Sequence, residues 1–183
     1  MLILASQSPR RRELMELAGL EFTCIPSDAE ESIPADLPVE RYTEYLAGIK
    51  AEDVAKTHQE DIVIGSDTLV ELDGEVLGKP HSREEAAEML RRLSGRIHRV
   101  HTGVVIISPK GREAFTSVTE VEFWPLTEEQ IERYVATGEP MDKAGAYGIQ
   151  GAGAILVKRI NGDYYTVMGF PIAEVVRRLE KYE

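Results

Sequence analysis

The sequence predicts an α/β protein in which helices flank a mixed, largely antiparallel sheet. Strand-like apolar runs and helix-like amphipathic runs alternate along all 183 residues, without a repeat or a low-complexity tract. Asp73-Gly74 separates two strand-like runs, and this dipeptide is the strongest short-range signal for a β-hairpin. Asn161-Gly162 gives the same signal later in the chain. Because hairpins join antiparallel strands, we do not expect a doubly wound parallel sheet.

The individual elements follow from local patterns. Predicted strands are short runs rich in apolar and β-branched residues between turn-forming residues. They cover residues 2–5, 21–26, 62–72, 75–80, 100–107, 115–123, 154–160 and 164–168. Predicted helices have apolar residues at helical spacing and caps such as Ser8, Ser82 and Thr127. They cover residues 9–18, 39–57, 83–93 and 128–138, with a final helix from 171 onward.

Length and composition indicate one domain of ordinary globular character. We expect a single domain over residues 1–183, with a sub-lobe at about 80–127, although the sequence shows no clean boundary. No apolar run approaches the roughly 20 residues that span a bilayer, and no signal peptide is evident. The one cysteine, Cys24, excludes an internal disulfide and fits a cytoplasmic protein.

The net charge of −11, from 32 acidic and 21 basic residues, argues against binding to a nucleic-acid backbone. A small phosphorylated ligand needs only a local positive pocket. Arg10, Arg11 and Arg12 supply one in the first turn of the first predicted helix. Cations are disfavoured there by roughly 0.3–1 kcal/mol each, unless an anion is bound at the helix end. The stretch is either a phosphate site or three solvated arginines.

Asp67 follows a buried-type strand and two small residues, and a carboxylate there is costly unless it is paired or bound. It is a candidate general base or metal ligand, or else an ordinary polar residue at a strand end. The simplest hairpin pairing sets Thr68 opposite Lys79, one residue from the level of Asp67. The hairpin therefore brings an acid, a hydroxyl and an amine close together.

The segment at 142–151 holds three glycines and two alanines, so its backbone can approach a ligand closely. Gln150 in it offers both a donor and an acceptor, which suits the edge of a nucleobase. The alternative is a tight structural loop. The chain has neither a P-loop nor a dinucleotide fingerprint, and its four histidines lack the spacing of a metal site.

Six segments together carry a resemblance to a known family, although each alone is weak. They are Ala5-Ser6-Gln7-Ser8-Pro9-Arg10-Arg11, Ile64-Gly65-Ser66-Asp67-Thr68, Gly78-Lys79-Pro80, His101-Thr102-Gly103-Val104, Asp142-Lys143-Ala144-Gly145-Ala146-Tyr147-Gly148-Ile149-Gln150-Gly151 and Gly169-Phe170-Pro171. Their order and their spread over essentially the whole chain are specific. The chain resembles the Maf family of nucleoside triphosphate pyrophosphatases.

The resemblance implies hydrolysis of a nucleoside triphosphate to the monophosphate and pyrophosphate, assisted by a divalent cation such as Mg²⁺, Mn²⁺ or Co²⁺. It also implies a fold related to the inosine triphosphate pyrophosphatases, with two lobes around a cleft. Asp67 matches the family's proposed proton acceptor, and Glu31 matches an acidic position near the metal, so Glu31 and Asp67 are the implied metal ligands. The residues at the family's phosphate-binding positions are Ser6, Arg10, Arg11, Lys50 and Lys79.

Three further positions separate branches of that family. The branch acting on dTTP and UTP carries Arg, Thr and Gln there, and this chain has Arg10, Thr68 and Gln150. The branch acting on 7-methyl-GTP differs at all three. The resemblance thus implies a cytoplasmic, homodimeric dTTP/UTP pyrophosphatase that removes unwanted or modified nucleotides. The alternative is a nucleotide-binding regulator of septum formation, suggested by the family's naming, but binding alone would not need Asp67 as a base.

Overall fold

Seven strands form one mixed sheet in the computed structural model, which describes residues 1–182. Their bounds are β1 Leu2–Leu4, β2 Thr23–Cys24, β3 Ile62–Leu72, β4 Glu75–Leu77, β5 Ile97–Ser108, β6 Gly111–Phe123 and β7 Val157–Asn161. The strand order is β2-β1-β3-β5-β6-β7, and β4 pairs with β3. Strand β1 is parallel to both β2 and β3, whereas the pairs β3–β4 and β6–β7 are antiparallel. The predicted mixed α/β fold is confirmed.

Six α-helices accompany the sheet within the same residues. They are α1 Pro9–Leu17, α2 Tyr42–Ala55, α3 Arg83–Leu93, α4 Glu128–Ala136, α5 Tyr164–Met168 and α6 Ile172–Leu179. Short 3₁₀ segments lie at Val39–Arg41, Glu139–Asp142, Ala144–Ala146, Gly151–Leu156 and Glu180–Tyr182. No helix of the described chain combines the length and the apolarity needed to cross a membrane.

The hairpin predicted at Asp73-Gly74 is confirmed. Leu72 pairs with Glu75, and the two turn residues have φ of 53° and 82°. Positive φ at both central residues is what a type I′ turn requires, and Asp-Gly provides it at little steric cost. The strand β4 ends at Leu77, however, so the ladder stops two residues before Lys79.

The predicted helix caps are also present. The Ser8 hydroxyl accepts a hydrogen bond from the Arg11 amide at 3.4 Å, and Pro9 is the first residue of α1. Thr127 opens α4 with a complete capping box. At α3 the Ser82 hydroxyl accepts from the Glu85 amide, but the Glu85 carboxylate accepts from the His81 amide instead of from Ser82, so only half of that capping box forms.

The strand predicted at 164–168 is wrong, because these residues form helix α5. The Asp163 carboxylate accepts from the amide of Thr166 at 2.7 Å and from its hydroxyl at 2.8 Å, which is an N-cap interaction. The capping carboxylate overrides the strand propensity of the aromatic and β-branched residues that follow. Strand β7 begins only at Val157 and pairs with β6, so the second predicted hairpin does not form.

Contacts divide the chain into two compact units. The first comprises Met1–Thr68, Thr102–Ser117 and the chain from Gly169 onward, and the second comprises Leu69–His101 and Val118–Met168. These bounds differ from those of the sub-lobe expected at about 80–127. Strands β3, β5 and β6 each supply residues to both units, and nothing in the composition of a continuous strand marks where that change occurs.

The core of the first unit places helix α2 directly on the sheet. Ala47, Ala51 and Val54 of α2 are buried against residues of β1, β3 and β5. A Cβ at Gly65 would lie 2.1 Å from the carbonyl oxygen of Ala47, and one at Gly103 would lie 2.3 Å from the amide of Glu44. Only glycine permits so close an approach of helix to strand. The same helix carries Lys50.

Candidate active site

Arg11 lies at the start of helix α1, where three neutral oxygens hold its guanidinium group. It donates to the carbonyl oxygen of Gly169 at 2.8 Å, to Thr68 Oγ1 at 3.1 Å and to Ser6 Oγ at 3.3 Å. Burial lowers the pKa of this guanidinium, while the charge of Asp67 acts in the opposite direction. Over residues 1–182 no carboxylate pairs directly with Arg11, so its orientation is fixed and its charge stays available for an anion.

The two neighbouring arginines have different surroundings. Arg12 is exposed and donates from Nε to Glu16 Oε1 at 2.9 Å, one helical turn away. This hydrogen bond raises the pKa of Arg12. Arg10 is half-buried, and its positive charge contributes to lowering the pKa of Arg11. Arg10 and Arg11 are thus both half-buried, while Arg12 belongs to the solvated face of the helix.

Lys50 connects two carboxylates in the first unit. Its Nζ lies 2.7 Å from Asp67 Oδ1 and 3.4 Å from Glu31 Oε1. The side chains of Lys50 and Asp67 are only 16% and 18% exposed, whereas that of Glu31 is 45% exposed. Because the lysine lies on α2 and the aspartate on β3, the close seating of that helix on the sheet brings the pair together.

Asp67 retains one oxygen for chemistry. Lys50 contacts Oδ1, and within the described chain no hydrogen bond reaches Oδ2. A carboxylate held in this way has a fixed orientation and one oxygen able to accept a proton from a bound water. Asp67 therefore combines one oxygen held by Lys50 with one that has no hydrogen bond within residues 1–182, and the lysine supplies a positive charge beside it.

The segment that carries Glu31 is fastened to the same helix. Asp53 of α2 accepts from the Ser27 hydroxyl at 2.8 Å and from the Asp28 amide at 3.1 Å. The Ser27 hydroxyl in turn accepts from the amide of Ala29 at 3.1 Å. The hydrogen bond from Ser27 is the main cause of the lowered pKa of Asp53. Helix α2 thus organises both Lys50 and the approach to Glu31.

Glu31 and Asp67 are the residues that could share a cation. The described chain contains no cluster of three or more His, Cys, Asp or Glu side chains able to hold a metal by themselves. Two carboxylates at one lysine fit Mg²⁺ nonetheless, because this ion takes one or two carboxylates and completes its shell with water and substrate phosphates. The donor set is thus compatible with a cation bound together with a polyphosphate.

Thr68 occupies a crowded position beside Arg11. Its hydroxyl lies 3.1 Å from the Arg11 guanidinium, 2.9 Å from Thr102 Oγ1 and 3.4 Å from the carbonyl oxygen of Gly169. Thr102 and Gly169 lie in two of the six short segments that carry the family resemblance, but no role for either residue follows from the sequence. Gly169 contacts the Arg11 guanidinium directly, and Thr102 contacts Thr68, which in turn contacts Arg11. Their only signal in the sequence is membership of those two short segments.

Lys79 and Gln150 belong to the second unit. The amide of Gly145 donates to the carbonyl oxygen of Gly78 at 3.1 Å, which ties the glycine-rich segment to the residue before Lys79. Lys79 and Gln150 are both exposed, and Gln150 directly precedes the 3₁₀ segment Gly151–Leu156. Within this unit the glycine-rich segment is therefore hydrogen-bonded to the chain directly before Lys79.

The guanidinium of Arg11, which no carboxylate pairs with over residues 1–182, suits a ligand that carries phosphate groups. The neighbouring Lys50–Asp67 pair adds a cation and a carboxylate for such a ligand. Comparison with known proteins identifies the family to which the chain belongs. The chain matches the family described as Maf-like protein over residues 1–182. It belongs to the Maf family, as the resemblance of its short segments predicts.

Similar proteins span nearly the full chain. A dTTP/UTP pyrophosphatase of Bacillus velezensis is 54% identical over 181 residues, which cover 99% of this chain and 96% of that protein. A dTTP/UTP pyrophosphatase of Bacillus cytotoxicus is 52% identical over 186 residues, covering 99% and 95%. The structure of a HAM1 protein from Coxiella burnetii aligns with a TM-score of 0.54 and 20% identity over 98% of each chain, which supports the fold.

Proposed function

We propose that this protein hydrolyses dTTP and UTP to the nucleoside monophosphate and pyrophosphate. The observation that carries the proposal is the Lys50–Asp67 pair, at 2.7 Å, which leaves one carboxylate oxygen of Asp67 able to accept a proton. Relatives at 52–54% identity that are named dTTP/UTP pyrophosphatases support the choice of substrate.

The proposed ligands of the triphosphate are four cationic side chains and one hydroxyl. Arg11 offers a guanidinium already oriented by neutral acceptors, and Ser6, whose hydroxyl accepts from Arg11 and from the Ser8 amide, can donate its own proton to a phosphate oxygen. Arg10 and Lys50 add positive charge in the first unit. Lys79 is exposed and, over residues 1–182, forms no ion pair, so it can bind phosphate without giving up another partner.

Asp67 acts as the general base. It takes a proton from a water molecule, whose oxygen attacks the α-phosphorus. The bond from the α-phosphorus to the oxygen that bridges it to the β-phosphorus breaks, and pyrophosphate leaves with that electron pair. Lys50, Lys79 and Arg11 offset the negative charge that grows on the leaving group.

A divalent cation, Mg²⁺, Mn²⁺ or Co²⁺, completes the proposed site. Glu31 and Asp67 would hold it through carboxylate oxygens, together with phosphate oxygens of the substrate. When bound, such a cation neutralises phosphate charge and lowers the pKa of a coordinated water. Lys50, which contacts both carboxylates, would keep them oriented before the cation and substrate arrive.

The base is selected by Arg10, Thr68 and Gln150. The amide of Gln150 can donate to O4 and accept from N3–H of uracil or thymine, and this edge does not include the 5-methyl group. Recognition of the base therefore does not distinguish uracil from thymine, and both UTP and dTTP are used. Thr68 contributes through its contact with the Arg11 guanidinium. We further propose that the enzyme is a cytoplasmic homodimer which removes unwanted pyrimidine nucleotides and binds neither nucleic acid nor membranes.

The test is pyrophosphate release from dTTP, UTP and 7-methyl-GTP, each with Mg²⁺, Mn²⁺ and Co²⁺. We expect release from dTTP and UTP and little from 7-methyl-GTP. Absence of release from every triphosphate with every cation would refute the enzymatic function. Preference for 7-methyl-GTP would refute only the assignment to pyrimidine nucleotides. Light scattering coupled to gel filtration measures the oligomeric state in the same preparation.

A further inference from the structure

A carboxylate outside the proposed catalytic set holds the segment on which Gln150 stands. Glu139 follows helix α4, and its side chain is half-buried in the second unit. Its Oε2 accepts from the amide of Ala152 at 3.0 Å, and its Oε1 accepts from the amide of Gly153 at 3.1 Å. The same Oε1 accepts from the hydroxyl of Tyr134 at 2.8 Å. One carboxylate therefore serves three donors.

Tyr134 extends this contact to the other side of Gln150. Its ring is buried, and its hydroxyl oxygen accepts from the amide of Gly148 at 3.1 Å while donating to Glu139. Burial is the main cause of the raised pKa of this tyrosine, so it keeps the proton that it donates. The backbone is thus held two residues before Gln150 and again two and three residues after it.

The glycines of this segment pack closely against the backbone and side chains around them. A Cβ at Gly153 would lie 2.0 Å from the carbonyl oxygen of Gly148, and a Cβ at Gly151 would lie 3.0 Å from Glu139 Oε2. Gly151 also has a φ of 86°, which favours glycine. The backbone on either side of Gln150 is therefore packed closely onto the pair formed by Tyr134 and Glu139.

We propose that Glu139 and Tyr134 are positioning residues for recognition of the pyrimidine base, acting through the backbone on either side of Gln150. This inference rests on the proposed function. It assigns the pair no contact with substrate and no part in the chemical step. Loosening the contacts of Glu139 and Tyr134 lets Gln150 sample other orientations, so the base is bound less well. Two of the phosphate-binding residues, Ser6 and Arg11, lie in the first unit and keep their mutual contact. Lys79 lies in the second unit but has no hydrogen bond to Glu139 or Tyr134 within residues 1–182.

Glu139→Gln is the first test, because glutamine has the size of glutamate but replaces one acceptor oxygen by an NH₂ group. That group cannot accept from the Tyr134 hydroxyl or from the amides of Ala152 and Gly153. At least one of the three hydrogen bonds is lost, so KM for UTP is expected to rise about tenfold with kcat within about twofold of wild type. Inhibition by pyrophosphate, which lacks a base, should be unchanged. Glu132→Gln, at an exposed position of α4, is the matched control and should keep the wild-type KM.

Tyr134→Phe is the second test, since it removes only the hydroxyl that bridges the Gly148 amide and Glu139. The same rise in KM is expected, and the double variant should be less impaired than the sum of the two, because both act on one network. Hydrogen exchange of residues 148–153 should be faster in both variants than in the control.

The outcomes separate the two proposals. Wild-type enzyme that is inactive with dTTP and UTP would refute the proposed function and with it this inference. Active wild-type enzyme whose KM is unchanged in both variants would refute the inference alone, as would a fall in kcat with an equal loss of pyrophosphate inhibition.

Discussion

At the scale of single residues, three adjacent arginines in one helical turn have three different environments. Arg11 donates to three neutral oxygens, Arg10 is half-buried beside it, and Arg12 pairs with Glu16 in solvent. Helical geometry separates them, because consecutive residues point in directions about 100° apart. Only the side chain directed toward Ser6 and Gly169 can be fixed by acceptors outside its own helix.

Replacing Arg11 by lysine is expected to lower kcat/KM for UTP by about ten- to a hundredfold. A single ammonium group cannot reproduce the fork that serves Gly169, Thr68 and Ser6 together, and a hydrogen bond made by a charged group contributes about 1.5–3 kcal/mol. Steady-state kinetics measures the effect. Arg12→Lys is the control and should match wild type. Because lysine keeps the charge, an Arg11→Lys variant with wild-type kcat/KM would show that the helix end acts only through its total charge.

Asp67→Asn should reduce kcat by about 10²–10⁴ while the protein stays folded, because the amide cannot accept the proton of the attacking water. Pyrophosphate release gives kcat, and circular dichroism verifies the fold. Asp36→Asn, at an exposed position, is the control. If the Asp67 variant kept most of its activity, another carboxylate such as Glu31 would have to be the base.

At the scale of elements, helix α2 determines the geometry of the proposed site. It carries Lys50, it fastens the Glu31 segment through Asp53, and it lies on the sheet where glycines leave room for it. Strand β3 brings Asp67 to the same helix. The distance of 2.7 Å between Lys50 and Asp67 therefore depends on how closely α2 approaches β3.

Gly65→Ala tests this dependence. The added methyl group would lie 2.1 Å from the carbonyl oxygen of Ala47, so the helix must move, and such overpacking typically costs about 1–3 kcal/mol. Urea denaturation should show that loss, and kcat should fall as well because Lys50 shifts from Asp67. Gly78→Ala is the control for stability, because no atom lies within 4 Å of its added Cβ. An unchanged Gly65→Ala variant would mean that α2 is not limited by this contact.

At the scale of the whole molecule, stability should depend on pH through a buried histidine. His98 Nε2 lies 2.6 Å from the Tyr147 hydroxyl, and burial lowers the pKa of His98 to about 4 from its ordinary 6.5. The unfolded chain binds the proton more tightly than the folded one. This contribution to stability is therefore complete above pH 6.5 and is lost as the pH falls toward 4.

Between pH 7 and pH 5 this single group should remove about 2 kcal/mol from the free energy of unfolding. Urea denaturation at the two pH values measures it. His98→Gln, which cannot be protonated, should lose about 2 kcal/mol less than wild type over the same interval. The exposed His81→Gln is the control and should behave as wild type. Equal pH dependence in all three proteins would show that His98 does not charge in this range.

The sequence by itself determined the features that depend on neighbouring residues. The caps at Ser8 and Thr127 and the Asp73-Gly74 turn each rest on backbone conformation and hydrogen bonds within a few positions, so local pattern suffices to find them. Local pattern failed at Tyr164–Met168, where the capping carboxylate of Asp163 outweighs strand propensity. The short segments that identify the Maf family were also legible in the sequence.

Only the tertiary structure decided which of the singled-out residues meet. No local pattern links Lys50 to Asp67, which lies 17 positions further along the chain, and only the packing of α2 on β3 brings the two side chains into contact. The acceptors of Arg11 are likewise distant, with Gly169 at a separation of 158 residues. Contacts of this kind depend on the packing of elements that are far apart in the chain. The need for glycine at positions 65 and 103 is evident only from the backbone of α2 that packs against them.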